Sequence, residues 1–189
     1  MSVLGPVKLV VFDFDCTITS VHTCPNMTPE QLESMSLDRV VDVVKFRAFV
    51  DYLLRSNTNV AIASYGRKDL ILSIMGQIFR DTNPFNALNV ITPLDVSTRW
   101  AECNNPPRNS GFNKNNMLAI LASRYEVRSY EVLLIDDGEA NVRMAVTGGY
   151  LAFLVPSCRT FSETLRTILS MSMRPELVDG FIAMLLNLI

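Results

Sequence analysis

Short apolar runs alternate with helical stretches along most of this chain, and three of the runs stop at polar groups. The first covers about residues 8–14 and carries Asp13 and Asp15 at its end. The second, 59–64, ends in Ser64, and the fourth, 131–135, runs into Asp136 and Asp137. Runs near 88–91 and 150–155 complete the strands. Between them the spacing of apolar residues predicts helices at about 38–56, 68–79, 113–125 and 139–146, with two more near 162–171 and 175–188. In the first helix Val40, Val43, Val44, Ala48, Phe49, Leu53 and Leu54 form one broad face. Such alternation builds an α/β fold, a parallel sheet with helices on both faces. The runs are almost uninterruptedly apolar, as in strands buried on both sides. Ligands bind such sheets beyond the carboxyl ends of the strands. Asp13, Asp15, Ser64, Asp136 and Asp137 would therefore share one edge.

A buried strand rarely ends in two acids at i and i+2 without a reason. Two close carboxylates repel unless a cation or a proton neutralises them, so Asp13 and Asp15 point to a divalent metal, to acid–base chemistry, or to both. The 189 residues suit a single domain over 1–189, and 49% hydrophobic with 19% charged residues is enough for a buried core and excludes a disordered composition. With a net charge of −2 and no basic stripe, no nucleic-acid partner is expected. Cys16, Cys24, Cys103 and Cys158 contain no C-x-x-C pair, which fits reduced thiols in a cytoplasmic protein. A zinc site from His22 and Cys24 would lack a second close ligand pair. The N-terminal apolar run passes straight into Asp13 and reads as a strand, not a signal peptide. The apolar run 181–189 is too short to span a bilayer. It is expected to pack on the domain, with a dimer or membrane-surface contact as the alternative.

The ordered set Asp13-Phe14-Asp15-Cys16-Thr17, Ser64, Lys114 and Asp136-Asp137 resembles the haloacid dehalogenase superfamily of aspartate-nucleophile phosphatases. Alone, each residue has a commoner structural role: a turn cap for Asp15 or Thr17, a solvated helix lysine for Lys114, a helix cap for Asp136-Asp137. Their order along the strands makes the pattern specific. The resemblance implies a three-layer Rossmann-like sheet of order 3-2-1-4-5, with Asp13 as nucleophile and Asp15 as general acid and base. It also implies Mg2+ held by Asp13, the main-chain carbonyl of Asp15, and Asp137. Asp136 would orient Lys114 or a metal-bound water. Ser64 would bind phosphate, Lys114 would neutralise developing charge, and Thr17 would bind phosphate or fix the turn after the acids. Asp15 favours phosphoryl transfer over dehalogenation, because a halide leaving group needs no proton.

The intervals 18–37 and 92–112 are irregular and too short for a helical cap, so a capless or minimally capped domain with both loops at the site mouth is expected. Thr28 and Pro29 read as a helix start within the first loop, and Trp100 lies in the second. The local sequences 63–67 and 134–139 are similar to those of small capless magnesium-dependent phosphatases. An open site would admit a phosphoprotein, and a small phosphate ester is the alternative substrate. Arg67 is a candidate substrate contact. A receiver-type phospho-acceptor domain fits poorly, since the adjacent acids follow the fourth strand and Lys114 precedes them. A catalytically silent scaffold of the same fold is the remaining alternative.

Overall fold

The computed structural model describes residues 7–20, 22, 40, 42–96 and 113–155. The chain runs β1 (Leu9–Phe12), α1 (Val43–Arg55), β2 (Asn59–Ala63), α2 (Lys68–Phe79), β3 (Val90–Ile91), a short α3 (Pro93–Val96), α4 (Lys114–Arg124), β4 (Val132–Asp136), α5 (Glu139–Thr147) and β5 (Leu151–Leu154). The five strands form one parallel sheet in the order β3-β2-β1-β4-β5. This is the order implied by the resemblance.

The apolar runs are uninterrupted because successive strand residues point to opposite, equally covered faces. Val10, Phe12, Val60, Ile62, Leu133 and Ile135 pack on one face against Phe46, Phe49 and Leu53 of α1 and Ile71, Ile74 and Met75 of α2. Leu9, Val11, Ala61, Ala63, Val132 and Leu134 pack on the other against Met117, Leu118 and Leu121 of α4 and Ala145 of α5. Phe46 anchors the first face, meeting Phe12 edge-on at 5.4 Å between ring centroids and Phe79 at 5.9 Å. Edge-to-face pairs of this kind add stabilisation beyond their burial. β5 is an edge strand and stays half exposed, unlike the strands expected to be buried on both sides.

Three expectations are corrected. The helix expected from residue 38 begins at Val43: Val40 instead pairs with Thr19 in an isolated antiparallel bridge, and Asp42 sits in the left-handed region at φ 54°. The buried face of α1 is Phe46, Ala48, Phe49, Val50 and Leu53, whereas Val44 is 57% exposed and Leu54 is 40% exposed. In a helix this rich in apolar residues, periodicity alone leaves the face ambiguous. The stretch expected to be irregular from 92 opens with α3, because the Asp95 carboxylate accepts hydrogen bonds from Thr92 N (2.8 Å) and Thr92 Oγ1 (2.9 Å).

The rest of both loops, the helices near 162–171 and 175–188, the Thr28–Pro29 start, Trp100 and the run 181–189 lie outside the described residues. Among the described residues no helix is long and apolar enough to cross a membrane.

Candidate active site

Parallel register brings the acids together. Phe12 is the partner of Ile135, and Asp13 N donates to Ile135 O at 2.8 Å, so the next residue of each chain, Asp13 and Asp136, flank one another. Parity sets their direction. Phe12 and Ile135 point to the α1 face, so Asp13 and Asp136 turn toward the α4 face. Lys114 is the first residue of α4.

Beyond Asp13 the chain reverses around one carbonyl. Phe14 O accepts from Ile18 N (2.9 Å), Thr19 N (3.0 Å) and Thr19 Oγ1 (3.2 Å). Cys16 takes the left-handed conformation, φ 56°, that this turn requires. Asp15 is half-buried, and Thr17 is 3% exposed with its Oγ1 buried and without a partner among the described residues. Ser64, fully buried at the end of β2, accepts from Gly66 N at 3.0 Å. Its hydroxyl hydrogen thus keeps the freedom to donate elsewhere.

Lys114 is completely buried. Asn113 caps α4, its side chain accepting from Asn115 N while its own N–H donates to Asn116 Oδ1. The polar run 113–116 is therefore a helix start, and it aims Lys114 inward. Its Nζ lies 2.8 Å from Asp13 Oδ1 and 2.5 Å from Asp136 Oδ2, with the Tyr65 ring centroid 5.5 Å away. The other Asp136 oxygen, Oδ1, accepts from Gly138 N (2.7 Å) and Asn141 Nδ2 (3.0 Å).

Burial pushes the Asp13 carboxyl well above the usual carboxylate range. Lys114 pulls it down and Asp136 pushes it further up. Burial also opposes the Lys114 charge, but Asp13 and Asp136 more than reverse this and hold the ammonium above its ordinary value. One cation thus serves two buried carboxylates, and Asp137 stands beside them. Carboxylate oxygens of Asp13, Asp136 and Asp137 lie within 4.8 Å of one another. Opposite ligands of an octahedral magnesium ion are about 4.2 Å apart. The all-oxygen donor set and its spacing fit a hard divalent ion after small side-chain rotations.

Arg67 pairs with Asp69 (Nη2 to Oδ2, 2.5 Å) at a groove of about 610 Å³ that Tyr65, Leu72, Thr92 and Leu94 also line. This groove lies on the β2–β3 side, not over the acids. Sequence reasoning missed Asn141 and Tyr65. An amide one turn into the helix that follows an acidic pair was the available signal for Asn141; for Tyr65, its place directly after Ser64 was the only one.

No family model matches the chain, and no curated protein matches it. Solved structures do. A HAD-like family hydrolase from Porphyromonas gingivalis superposes with a TM-score of 0.55 at 14% identity over 87% of this chain and 98% of its own. The cobalt-bound deoxy-D-mannose-octulosonate 8-phosphate phosphatase of Haemophilus influenzae gives 0.52 at 13% identity over 96% and 99%. The fold is of the haloacid dehalogenase type. DsGPDH of Dunaliella salina also matches, at 0.55 and 16% identity over 87% of this chain, which spans only 29% of that longer protein. A further neighbour, a 3-deoxy-D-manno-octulosonate 8-phosphate phosphatase from Moraxella catarrhalis, was solved with magnesium, phosphate and KDO (TM-score 0.52, 13% identity, 96% and 95%).

Proposed function

We propose that this protein is a magnesium-dependent phosphatase that hydrolyses phosphate monoesters through an aspartyl-phosphate on Asp13. The observation that carries the reading is the buried Lys114, bridging Asp13 and Asp136 at the sheet edge where Asp137 also stands. A nucleophilic carboxylate must be ionised, and burial alone would protonate Asp13. Lys114 opposes that protonation, its ammonium 2.8 Å from Asp13 Oδ1.

Asp13 attacks phosphorus, the bond to the leaving oxygen breaks, and Asp15 gives that oxygen its proton. Asp15 then takes a proton from water as the water attacks phosphorus, which releases inorganic phosphate and restores Asp13. The hydroxyls of Ser64 and Thr17 suit donation to phosphate oxygens, the first because its own acceptor role is filled by Gly66 N, the second because it has no partner among the described residues. Lys114 steadies the negative charge that develops on the phosphoryl group. Asp136 is the positioning residue, with one oxygen on Lys114 and the other on Gly138 N and Asn141. That occupancy leaves Asp137, with Asp13 and the Asp15 carbonyl, as the set that would hold the metal. Mg2+ would supply charge neutralisation and orientation of the phosphate for in-line attack. The short intervals at 18–37 and 92–112 favour an open site and a phosphoprotein or other large ester as substrate.

The test is hydrolysis of an aryl phosphate with and without Mg2+, beside Asp13→Asn. Turnover that needs Mg2+ and falls at least about a thousandfold in the variant is expected. Turnover that persists in Asp13→Asn would refute the covalent route. A silent wild type would move the reading to a phosphate-binding scaffold. Turnover confined to small metabolites in a substrate screen would remove the phosphoprotein.

A further inference from the structure

The one histidine of the chain, His22, plays no part in the chemistry above, and neither does Cys16. They meet at the lip of the acid cluster: Cys16 Sγ lies 3.5 Å from His22 Nε2. A tetrahedral zinc ion with Zn–S of about 2.3 Å and Zn–N of about 2.0 Å sets its sulfur and nitrogen about 3.5 Å apart. The pair therefore already spans the edge of a zinc-type coordination tetrahedron. Cys16 is held there by the turn around the Phe14 carbonyl, in a reduced and partly accessible state. Asp13, Asp15 and Asp137 lie close enough for their negative charges to act on Cys16, a setting that favours a cation.

We propose that Cys16 Sγ and His22 Nε2 form a second metal site, for a soft divalent ion of the zinc class, beside the carboxylate cluster and distinct from it. The thiol proton passes to solvent, the thiolate and the imidazole lone pair enter the coordination sphere, and water fills the remaining positions without any change of oxidation state. Magnesium does not compete, since it takes oxygen ligands and this pair offers sulfur and nitrogen. Occupancy places a dication next to Asp15 and Asp137 and inhibits turnover. That consequence rests on the phosphatase reading, whereas the binding does not. Cys24, the other thiol considered for His22, lies outside the described residues.

The experiment titrates the full chain with Co2+ in excess Mg2+ and reads the near-ultraviolet thiolate-to-cobalt charge-transfer band, with Zn2+ calorimetry alongside. One equivalent with a band is expected. The band should vanish in Cys16→Ser and weaken in His22→Gln, with Zn2+ affinity about tenfold lower or more in each. A wild type without the band overturns the site. So does a band that survives in Cys16→Ser, since Cys24, Cys103 or Cys158 would then be the ligand. In turnover assays Zn2+ should inhibit the wild type at concentrations about tenfold below those needed for Cys16→Ser. Equal inhibition of both would overturn the regulatory consequence and assign the effect to the carboxylate cluster. A protein without turnover would still be decided by the absorption band.

Discussion

Replacing Lys114 by Met tests the central electrostatic claim. Met keeps nearly the length and volume of the side chain, so packing changes little. What is lost is the only cation, among the described residues, within hydrogen-bond reach of two buried carboxylates, 2.8 Å from one and 2.5 Å from the other. Removing one partner of a buried pair costs about 3–5 kcal/mol, because an uncompensated charge remains. For a domain of this size that is a fall in Tm of about 6–20 °C.

The sign of the pH dependence follows. In the unfolded chain Asp13 titrates near the ordinary value of about 4. In the fold it is raised already in the wild type, and it rises further without Lys114. The folded state then binds more protons than the unfolded state above pH 4, so stability falls as pH rises through the window between the two values. The loss should be small near pH 4 and should grow as pH rises toward and past the raised Asp13 value. Urea denaturation across that range in metal-free buffer measures it, and a repeat with Mg2+ should recover part of the loss at pH 8. A loss below about 1 kcal/mol, or one independent of pH, would refute the reasoning.

Gly138→Ala would place a Cβ 3.0 Å from Asp136 Oδ1 and 2.9 Å from Asn141 Nδ2, so both groups must move. Activity should fall about tenfold or more for a stability loss of only about 1–3 kcal/mol, read as kcat against the urea midpoint. Asn141→Ala removes one donor from Asp136 and should cost about 1–3 kcal/mol by the same denaturation assay, less than Lys114→Met. Phe46→Ala empties the aromatic centre of the α1 face and should cost about 3–5 kcal/mol while Mg2+ affinity by calorimetry stays unchanged, since Asp13 and Asp136 turn toward the opposite, α4 face.

The α/β class, and the strand order through the resemblance, were legible because uninterrupted apolar runs tolerate few other environments. Strands buried on both faces leave little freedom in where the polar ends fall. The helix 68–79 was bounded correctly because charged residues stand at both ends of an apolar repeat. The face of α1 was not legible. Val44 and Leu54 are as apolar as Val50 and Leu53, and only the positions of Phe12 and Phe79 decide which side is inside. The start of α1 failed for another reason: Val40 pairs with Thr19, a contact across about twenty residues that no local pattern carries. The short helix Pro93–Val96 was missed, although Thr92 and Asp95 stand three apart around a proline, a helix-start spacing.

Lys114 shows where local reading stops and topology takes over. Its neighbours Asn113, Asn115 and Asn116 give it the look of a solvated stretch, yet it is completely buried. The burial cannot come from the helix itself, which on its own would leave the residue in water. It comes from β1 and β4 being neighbours with Phe12 opposite Ile135, which turns two acids far apart in sequence toward the same helix start. An amine there meets two carboxylates, whereas an apolar side chain would leave both uncompensated. The lysine and the acids are thus one requirement expressed at three places in the chain, and any substitution that shifts the β1–β4 register should disturb all three together.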